Sequence, residues 1–432
     1  MSSWTNWTGD QSCAPAIVER PSSVEEVSVA VKRAAQAGRT VRVAGAGHSF
    51  GDLVCTDGSL ISLDRLTGVL GVDAEAGLVR VAAGTRLHEL NRLLDAHGLA
   101  LPNLGDIDRQ SVAGAISTAT HGTGRLLGNL ATQVEAMELV LADGSVLECT
   151  PANAEVLQAA RVSLGALGVI TAYTLRVVPA FNLRAEILVR PLAEAVARLD
   201  ELVDGNDHFE FFAFPHSPLV LSKMNNRTDE PAAGARSWAQ RHLSGAVENQ
   251  VHDLLCRLGR RAPAQIPRLN RALTRLMSSS VRVDTSVGSF VSTRTVRFTE
   301  MEWALPRAAC AGALADILAA IDRRGFAVNF PIEVRFVAGD EAAFLSPAYG
   351  RETAYLAVHM YRGMPWRPYF EAVQDIALSH GGRPHWGKRH LLDAAALAAR
   401  YPAWDRFQAV RAELDPGGRF ANDHIRHVLG PI

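Results

Sequence analysis

The run Ala44-Gly45-Ala46-Gly47-His48-Ser49-Phe50, followed by Gly51 and Asp52, is the stretch whose reading decides the fold. It comes directly after Val41-Arg42-Val43, an apolar alternation that predicts a short strand. Two glycines two residues apart let the backbone turn tightly and approach a ligand, because neither carries a Cβ. A histidine at the end of such a turn presents its imidazole to whatever the loop cradles. Taken alone, the loop predicts a nucleotide-cradling turn with a histidine beside it.

Upstream, Ser22 and Ser23 precede Glu25 and Glu26, so each serine opens an S-x-x-E capping box. Val24, Val27, Val31 and Ala34 then recur at helical spacing until Gly38. Downstream, Leu60–Leu63, Gly68–Val72 and Gly77–Ala82 read as short strands. A helix over roughly Arg86–His97 carries Leu87, Leu90, Leu93 and Leu94 on one face and stops at Gly98. This order predicts a mixed α/β domain rather than a doubly wound one.

The segment from Asn103-Leu104-Gly105-Asp106 through Ser111-Val112-Ala113-Gly114-Ala115-Ile116-Ser117-Thr118-Ala119-Thr120-His121-Gly122-Thr123-Gly124 is built almost wholly of small residues. Small side chains let backbone pack against a flat ligand, and free N–H groups at a helix start suit phosphate oxygens. A tightly packed helix and turn with no ligand is the other reading of these residues alone. Val134–Leu141 and Val146–Glu148 flank Asp143-Gly144 and predict a hairpin. A helix over about Asn153–Leu164 follows, then Gly165-Ala166-Leu167-Gly168-Val169-Ile170-Thr171 and a strand to Val178. Pro179 marks the end of a first domain, residues 1–179.

From residue 180 to 380 strand-like runs such as Phe209–Phe214 and Tyr355–Tyr361 alternate with helical ones. Six arginines and no acidic residue lie between Arg257 and Arg275. An anion or membrane-surface patch is one reading of them, and a solvated helical face is the expected one. Residues 381–432 hold Gly382-Arg383-Pro384-His385-Trp386-Gly387-Lys388-Arg389-His390, too dense in aromatic and titratable groups for a tail. Turn chemistry at Leu414–Asp423 then predicts a return to pack on the first domain.

A net charge of −1 offers no argument for nucleic acid. Five scattered cysteines without a C-x-x-C pair suggest a reducing compartment, no disulfide framework and no metal-ligand pattern. Neither a signal peptide nor an 18-residue apolar span is evident; the most apolar window, Ala308–Ile321, contains Asp316. A cytoplasmic enzyme is the expectation.

Taken together, "VAGAGHSF", "NLGDIDRQSVAGAISTATHGTG", "SLGALGVIT", "PIEVRF" and "RPHWGKRH", in this order, resemble the vanillyl-alcohol-oxidase (PCMH-type) flavoproteins. Within that group the likeness is to the sugar-1,4-lactone oxidase branch, which includes gulonolactone and arabinonolactone oxidases, with alditol oxidases as near relatives. The resemblance implies an α+β fold: a PCMH-type FAD-binding domain of two α/β subdomains, and a substrate domain with a large antiparallel sheet flanked by helices. It implies FAD covalently attached through His48, a link that prevents cofactor loss and raises the flavin potential. It also implies an FAD site of Ala44, Gly45, Ala46, Gly47, His48, Ser49, Gly105, Asp106, Ser111, Gly114, Thr118, His121, Gly122, Gly124 and Ile170. Gly105 matches the place where the family brings backbone near the reactive flavin edge, and a glycine there leaves room for dioxygen.

Oxidising a hydroxyl requires hydride transfer and loss of the hydroxyl proton. Glu333 and Arg335, two apart on a predicted strand, point to one face, as do His359 and Tyr361. Lys388 and His390 share a face if their segment is extended. By resemblance Glu333, Arg335 and Lys388 surround the substrate, with His359 and His390 as further catalytic candidates. The implied reaction is oxidation of an aldono-1,4-lactone at the C2 hydroxyl, with electrons passed to dioxygen or a one-electron acceptor. Oxidation of a polyol at a terminal hydroxyl is the alternative, and a flavin-binding sensor without turnover is the non-enzymatic one.

Overall fold

The computed structural model describes residues 3–232, 249–292 and 294–432. The helix Val24–Gln36 begins as its capping residues dictate. Ser23 accepts a hydrogen bond from the Glu26 amide, and the Glu26 carboxylate accepts from the Ser22 amide in return. Its buried stripe of Val27, Ala30, Val31 and Ala34 covers a parallel sheet in which Ser59–Ser62 lies between Ile17–Glu19 and Val41–Ala44. The glycine loop leaves from the end of Val41–Ala44, so the sheet aims it.

A second, antiparallel sheet runs in the order Val146–Cys149, Val134–Val140, Val169–Arg176, Leu78–Ala82, Val69–Asp73. Its hairpin turns at Asp143-Gly144, where Gly144 adopts φ +80° and Leu141 donates to the Ser145 carbonyl. The small-residue segment forms only a six-residue helix, Val112–Ser117. Backbone bonds from Val112 to Thr85 and from Ala113 to Ala83 tie that helix to the end of Leu78–Ala82.

Eight antiparallel strands form the third sheet, in the order Ser280–Thr285, Asn182–Pro191, Leu219–Thr228, His208–Ala213, Ile332–Val337, Thr353–Tyr361, Phe298–Pro306, Arg383–Pro384. Helices Cys310–Arg324 and Arg367–Ser379 pack against it. The loop at 120–124 crosses to it through Gly124, which donates to the Phe336 carbonyl, and through the Thr123 hydroxyl, bonded to the Phe209 carbonyl. The chain end returns to the glycine loop: Val41 donates to Arg419, and the Asn422 amide donates to the carbonyls of Asp52, Leu53 and Cys55. Buried Arg42 locks this junction, donating to the carbonyls of Leu53, Leu164, Gly165 and Phe420.

The six arginines between Arg257 and Arg275 are exposed on two helical stretches, 249–261 and Ile266–Leu276. Among the described residues no helix is long and apolar enough to cross a membrane.

Candidate active site

Two cavities meet at His48, Ser49, Gln110 and Thr118. The first runs along Gly45, Ala46, Gly47, Ser111, Gly114, Ser117, Gly165, Gly168 and Ile170. Small residues are required there. A Cβ on Gly45 would stand 2.2 Å from Ser111 Oγ, and Gly47 turns through φ +69°. Ser111 caps its helix by accepting from the Gly114 amide. The wall is therefore glycine backbone and hydroxyls on one part and apolar side chains such as Leu53, Leu63, Leu164 and Ile170 on the rest, suited to a long nucleotide cofactor with a flat ring.

At the junction the His48 ring stacks on Trp7, with centroids 5.5 Å apart. Burial, together with Arg86, Lys388 and Arg109, lowers the His48 pKa to about 4. The ring is neutral near pH 7 and keeps a nitrogen lone pair for bonding.

The second cavity is walled by the large sheet, and strand register explains its charge. Glu210 pairs with Arg335, Arg335 with Tyr355, Glu333 with Ala357, and Glu300 with His359, so one face collects these side chains. Arg335 contacts three carboxylates: Asp106 at 2.5 Å, Glu210 at 2.9 Å, and Glu333. Arg294 pairs with Asp106 and lies 3.8 Å from Glu333, while Lys223 holds Glu210 at 2.9 Å. Burial pushes all three carboxyls up. For Asp106 the arginines more than offset it, and for Glu210 Lys223 and Arg335 do, so both are held below the usual range. For Glu333, burial with Asp106 and Glu210 alongside outweighs Arg335 and Arg294, and the carboxyl is raised. It holds a proton most readily of the three.

A second group surrounds Glu300 and Glu302. Lys388 Nζ lies 2.5 Å from Glu300 Oε2, and His359 Nε2 lies 3.4 Å from Oε1. Burial raises Glu300, but Lys388 and His359 bring it down to about 2. His121 is engaged at both nitrogens: Nδ1 donates to the Gly122 carbonyl at 2.8 Å, and Nε2 lies 3.1 Å from Glu302 Oε1. His385 Nδ1 accepts from the Gly387 amide, and burial holds that ring down at about 3.

Glu333, Arg335, His359 and Lys388 thus come together in one chamber, with Gly105, Asp106 and His121 on its walls rather than along the first cavity. His390 lines neither cavity. Residues 385–388 form a turn closed by Lys388 donating to His385, so extended alternation does not carry Lys388 and His390 to one side. Tyr361 shares the strand of His359 but donates its hydroxyl to Asp253 instead of facing the chamber. Ala44, Gly122 and Gly124 also lie off both cavities. Ala44 pairs with Ser62 in the sheet, Gly122 packs on Asn103 and Leu104, and Gly124 bridges to Val337. Glu300, Glu302, Glu210, Lys223, Arg294, His385 and Trp7 were not among the sequence candidates. Glu300 and Glu302 carried a signal, two acids one residue apart in an apolar run; Arg294 carried none.

A glycine-walled cavity opening at a neutral histidine onto a charged, sheet-covered chamber fits a nucleotide cofactor set against a polar substrate, and the matches that follow make the chain an FAD-dependent oxidoreductase acting on CH–OH groups. Residues 173–428 match the family model for D-arabinono-1,4-lactone oxidase, and residues 15–150 match that for an FAD binding domain. The chain is 48% identical over 428 residues to L-gulono-1,4-lactone dehydrogenase of Mycobacterium tuberculosis, covering 99% of each. It is 36% identical to L-gulonolactone oxidase of Bos taurus, covering 98% of this chain and 97% of that one. A solved structure of a solvent-stable cholesterol oxidase shares the fold at TM-score 0.80 and 18% identity, covering 99% and 97% of the two chains. The chain belongs to the sugar-1,4-lactone oxidase and dehydrogenase family.

Proposed function

We propose that this protein oxidises an aldono-1,4-lactone of the L-gulono type at its C2 hydroxyl. The observation that carries the reading is the junction at His48, where a cavity suited to FAD opens onto a chamber holding Glu333, Arg335 and Lys388. Gly45–Ser49, Ser111, Gly114, Thr118 and Ile170 would hold FAD, with His48 as its point of covalent attachment, and the bound flavin would supply a hydride acceptor. The remaining chemistry belongs to side chains. Arg335 and Lys388 present cations to the oxygens of a polyhydroxylated ring, and Glu333 accepts a hydrogen bond from the reacting hydroxyl. Asp106 and Glu210 hold the Arg335 guanidinium in place.

Electrons pass on to dioxygen or to another acceptor. Gly105 does not decide between them: a Cβ there would meet the His121 carbonyl at 3.1 Å, so close packing is sufficient reason for the glycine. The test is anaerobic reduction of the bound flavin by L-gulono-1,4-lactone, by xylitol, or by neither. Reduction by the lactone supports the reading, reduction by xylitol alone replaces it with the alditol reaction, and no reduction removes both.

A further inference from the structure

The first strands of the chain, Trp4–Thr5 and Ser12–Cys13, form a hairpin that lies on the glycine loop. In its turn, Trp7 donates its amide to the Gly47 carbonyl at 2.8 Å and stacks its ring on His48. Asn6 Nδ2 donates to the Ser49 carbonyl at 3.1 Å, and a Cβ on Gly47 would meet the Trp4 ring at 3.3 Å. The hairpin is therefore a cap over His48. Its base meets the segment that leaves the glycine loop. Ile17 stands opposite Ser59 in parallel register, and Ala16 donates to the Asp57 carbonyl. Carried back at the same offset, that register sets Cys13 opposite Cys55, and the Cys55 thiol donates a hydrogen bond to the Cys13 sulfur. Neighbouring strands stand about 4.8 Å apart, within the roughly 4.4–6.8 Å that a disulfide spans between Cα atoms. Both are half-buried free thiols, whereas Cys149, Cys256 and Cys310 are buried.

We propose that Cys13 and Cys55 are a reversible redox pair, which hydrogen peroxide converts into a disulfide that fastens the cap beside His48. Burial and the neighbouring Cys13 push the Cys55 thiol up to about 12, so it keeps its proton and shares it with Cys13, the sulfur that attacks. In the first step the Cys13 sulfur takes one peroxide oxygen, the O–O bond breaks, one water leaves, and Cys13 becomes a sulfenic acid. The Cys55 sulfur then displaces that oxygen: the S–O bond breaks, the S–S bond forms, and a second water leaves. Two thiols have lost two hydrogens and two electrons, and one peroxide has been reduced to two waters. A dithiol reductant reverses the bond by exchange. The two ends belong to different bodies. Cys55 is held by the first domain and the chain end, its amide donating to Asp52 and its carbonyl accepting from Asn422 at 2.8 Å. Cys13 belongs to the cap, which otherwise rests on the loop through hydrogen bonds and ring contacts. A covalent bond at its base removes open arrangements of the cap that those weaker contacts permit.

The experiment treats the holoenzyme with a small excess of hydrogen peroxide, for wild type, Cys13→Ser and Cys55→Ser. Thiols are counted after denaturation, peptides are mapped by mass spectrometry, and amide hydrogen exchange of residues 4–13 is followed before and after. In the wild type the five thiols should fall to three, with one linked peptide pair joining Cys13 to Cys55, and dithiothreitol should restore all five. Exchange in residues 4–13 should slow by on the order of tenfold in the oxidised protein and recover on reduction. Neither serine variant should form the link or gain protection, and Cys55→Ser should leave a sulfenic acid at Cys13 that dimedone traps. Wild-type thiols that stay at five, or a bridge that instead uses Cys149, Cys256 or Cys310, overturn the pairing. A Cys13–Cys55 link that leaves the exchange of residues 4–13 unchanged overturns the fastening of the cap. Both readouts are independent of which substrate reduces the flavin.

Discussion

Replacing Glu333 by glutamine should separate catalysis from stability. Its carboxyl touches Arg335 and lies 3.8 Å from Arg294, a distance at which two opposite charges attract by about 4 kcal/mol at an effective dielectric of 20. That attraction is countered by burial and by Asp106 and Glu210, and the balance raises the carboxyl pKa, so ionised Glu333 is a net electrostatic burden on the fold. Glutamine keeps the shape, and Arg335 keeps Asp106 at 2.5 Å and Glu210 at 2.9 Å. Stability should therefore change by less than about 1 kcal/mol, which keeps the melting temperature within roughly 3 °C of wild type. The lost interaction is the hydrogen bond that Glu333 accepts from the reacting hydroxyl, and hydrogen bonds to charged groups are worth about 1.5–3 kcal/mol. Stopped-flow reduction under argon should slow by on the order of 10–10²-fold with FAD still bound. A rate within a few-fold of wild type would refute the role given to Glu333, and unfolding of the variant would refute the electrostatic balance.

His48→Ala should release flavin into the supernatant on acid precipitation, whereas colour stays with the wild-type pellet; free FAD from the wild type would sink the covalent link. Arg42→Met strands four carbonyls at the junction of the glycine loop, the Leu164-Gly165 turn and Phe420, and should destabilise by on the order of 3 kcal/mol in urea unfolding. A loss below about 0.5 kcal/mol would show that the junction closes without it. Acid should weaken the fold early. Burial lowers His252 to about 4, and His385 and His390 to about 3, while the unfolded chain protonates near 6.5. The unfolded state thus binds more protons, and stability falls as pH drops from about 6.5, by up to about 1.4 kcal/mol per pH unit for each ring. Urea midpoints that stay level from pH 7 to pH 5 would contradict this.

Much of the site was legible because strand alternation is a local rule. Glu333 and Arg335 reach one face for the reason the sequence suggests, and the glycine loop follows its strand as expected. The same rule applied to Thr299-Glu300-Met301-Glu302 would have found the partners of Lys388 and His121. It misled at Lys388 and His390, where a turn stands in for an extended segment. Arg294 reaches Asp106 from outside any strand or helix, and Lys223 meets Glu210 across the hairpin of two consecutive strands, in a register that the 214–218 connection sets. Alternation within one strand encodes neither contact.

The central claim is that the charged chamber presents a sugar lactone to the cofactor bound beside His48. Its most direct measurement is anaerobic titration of the purified holoenzyme with L-gulono-1,4-lactone while the oxidised-flavin absorbance is followed. Stoichiometric bleaching by the lactone, with none by xylitol at the same concentration, is the predicted result. A flavin that stays oxidised in the lactone, or that bleaches only in xylitol, would contradict it.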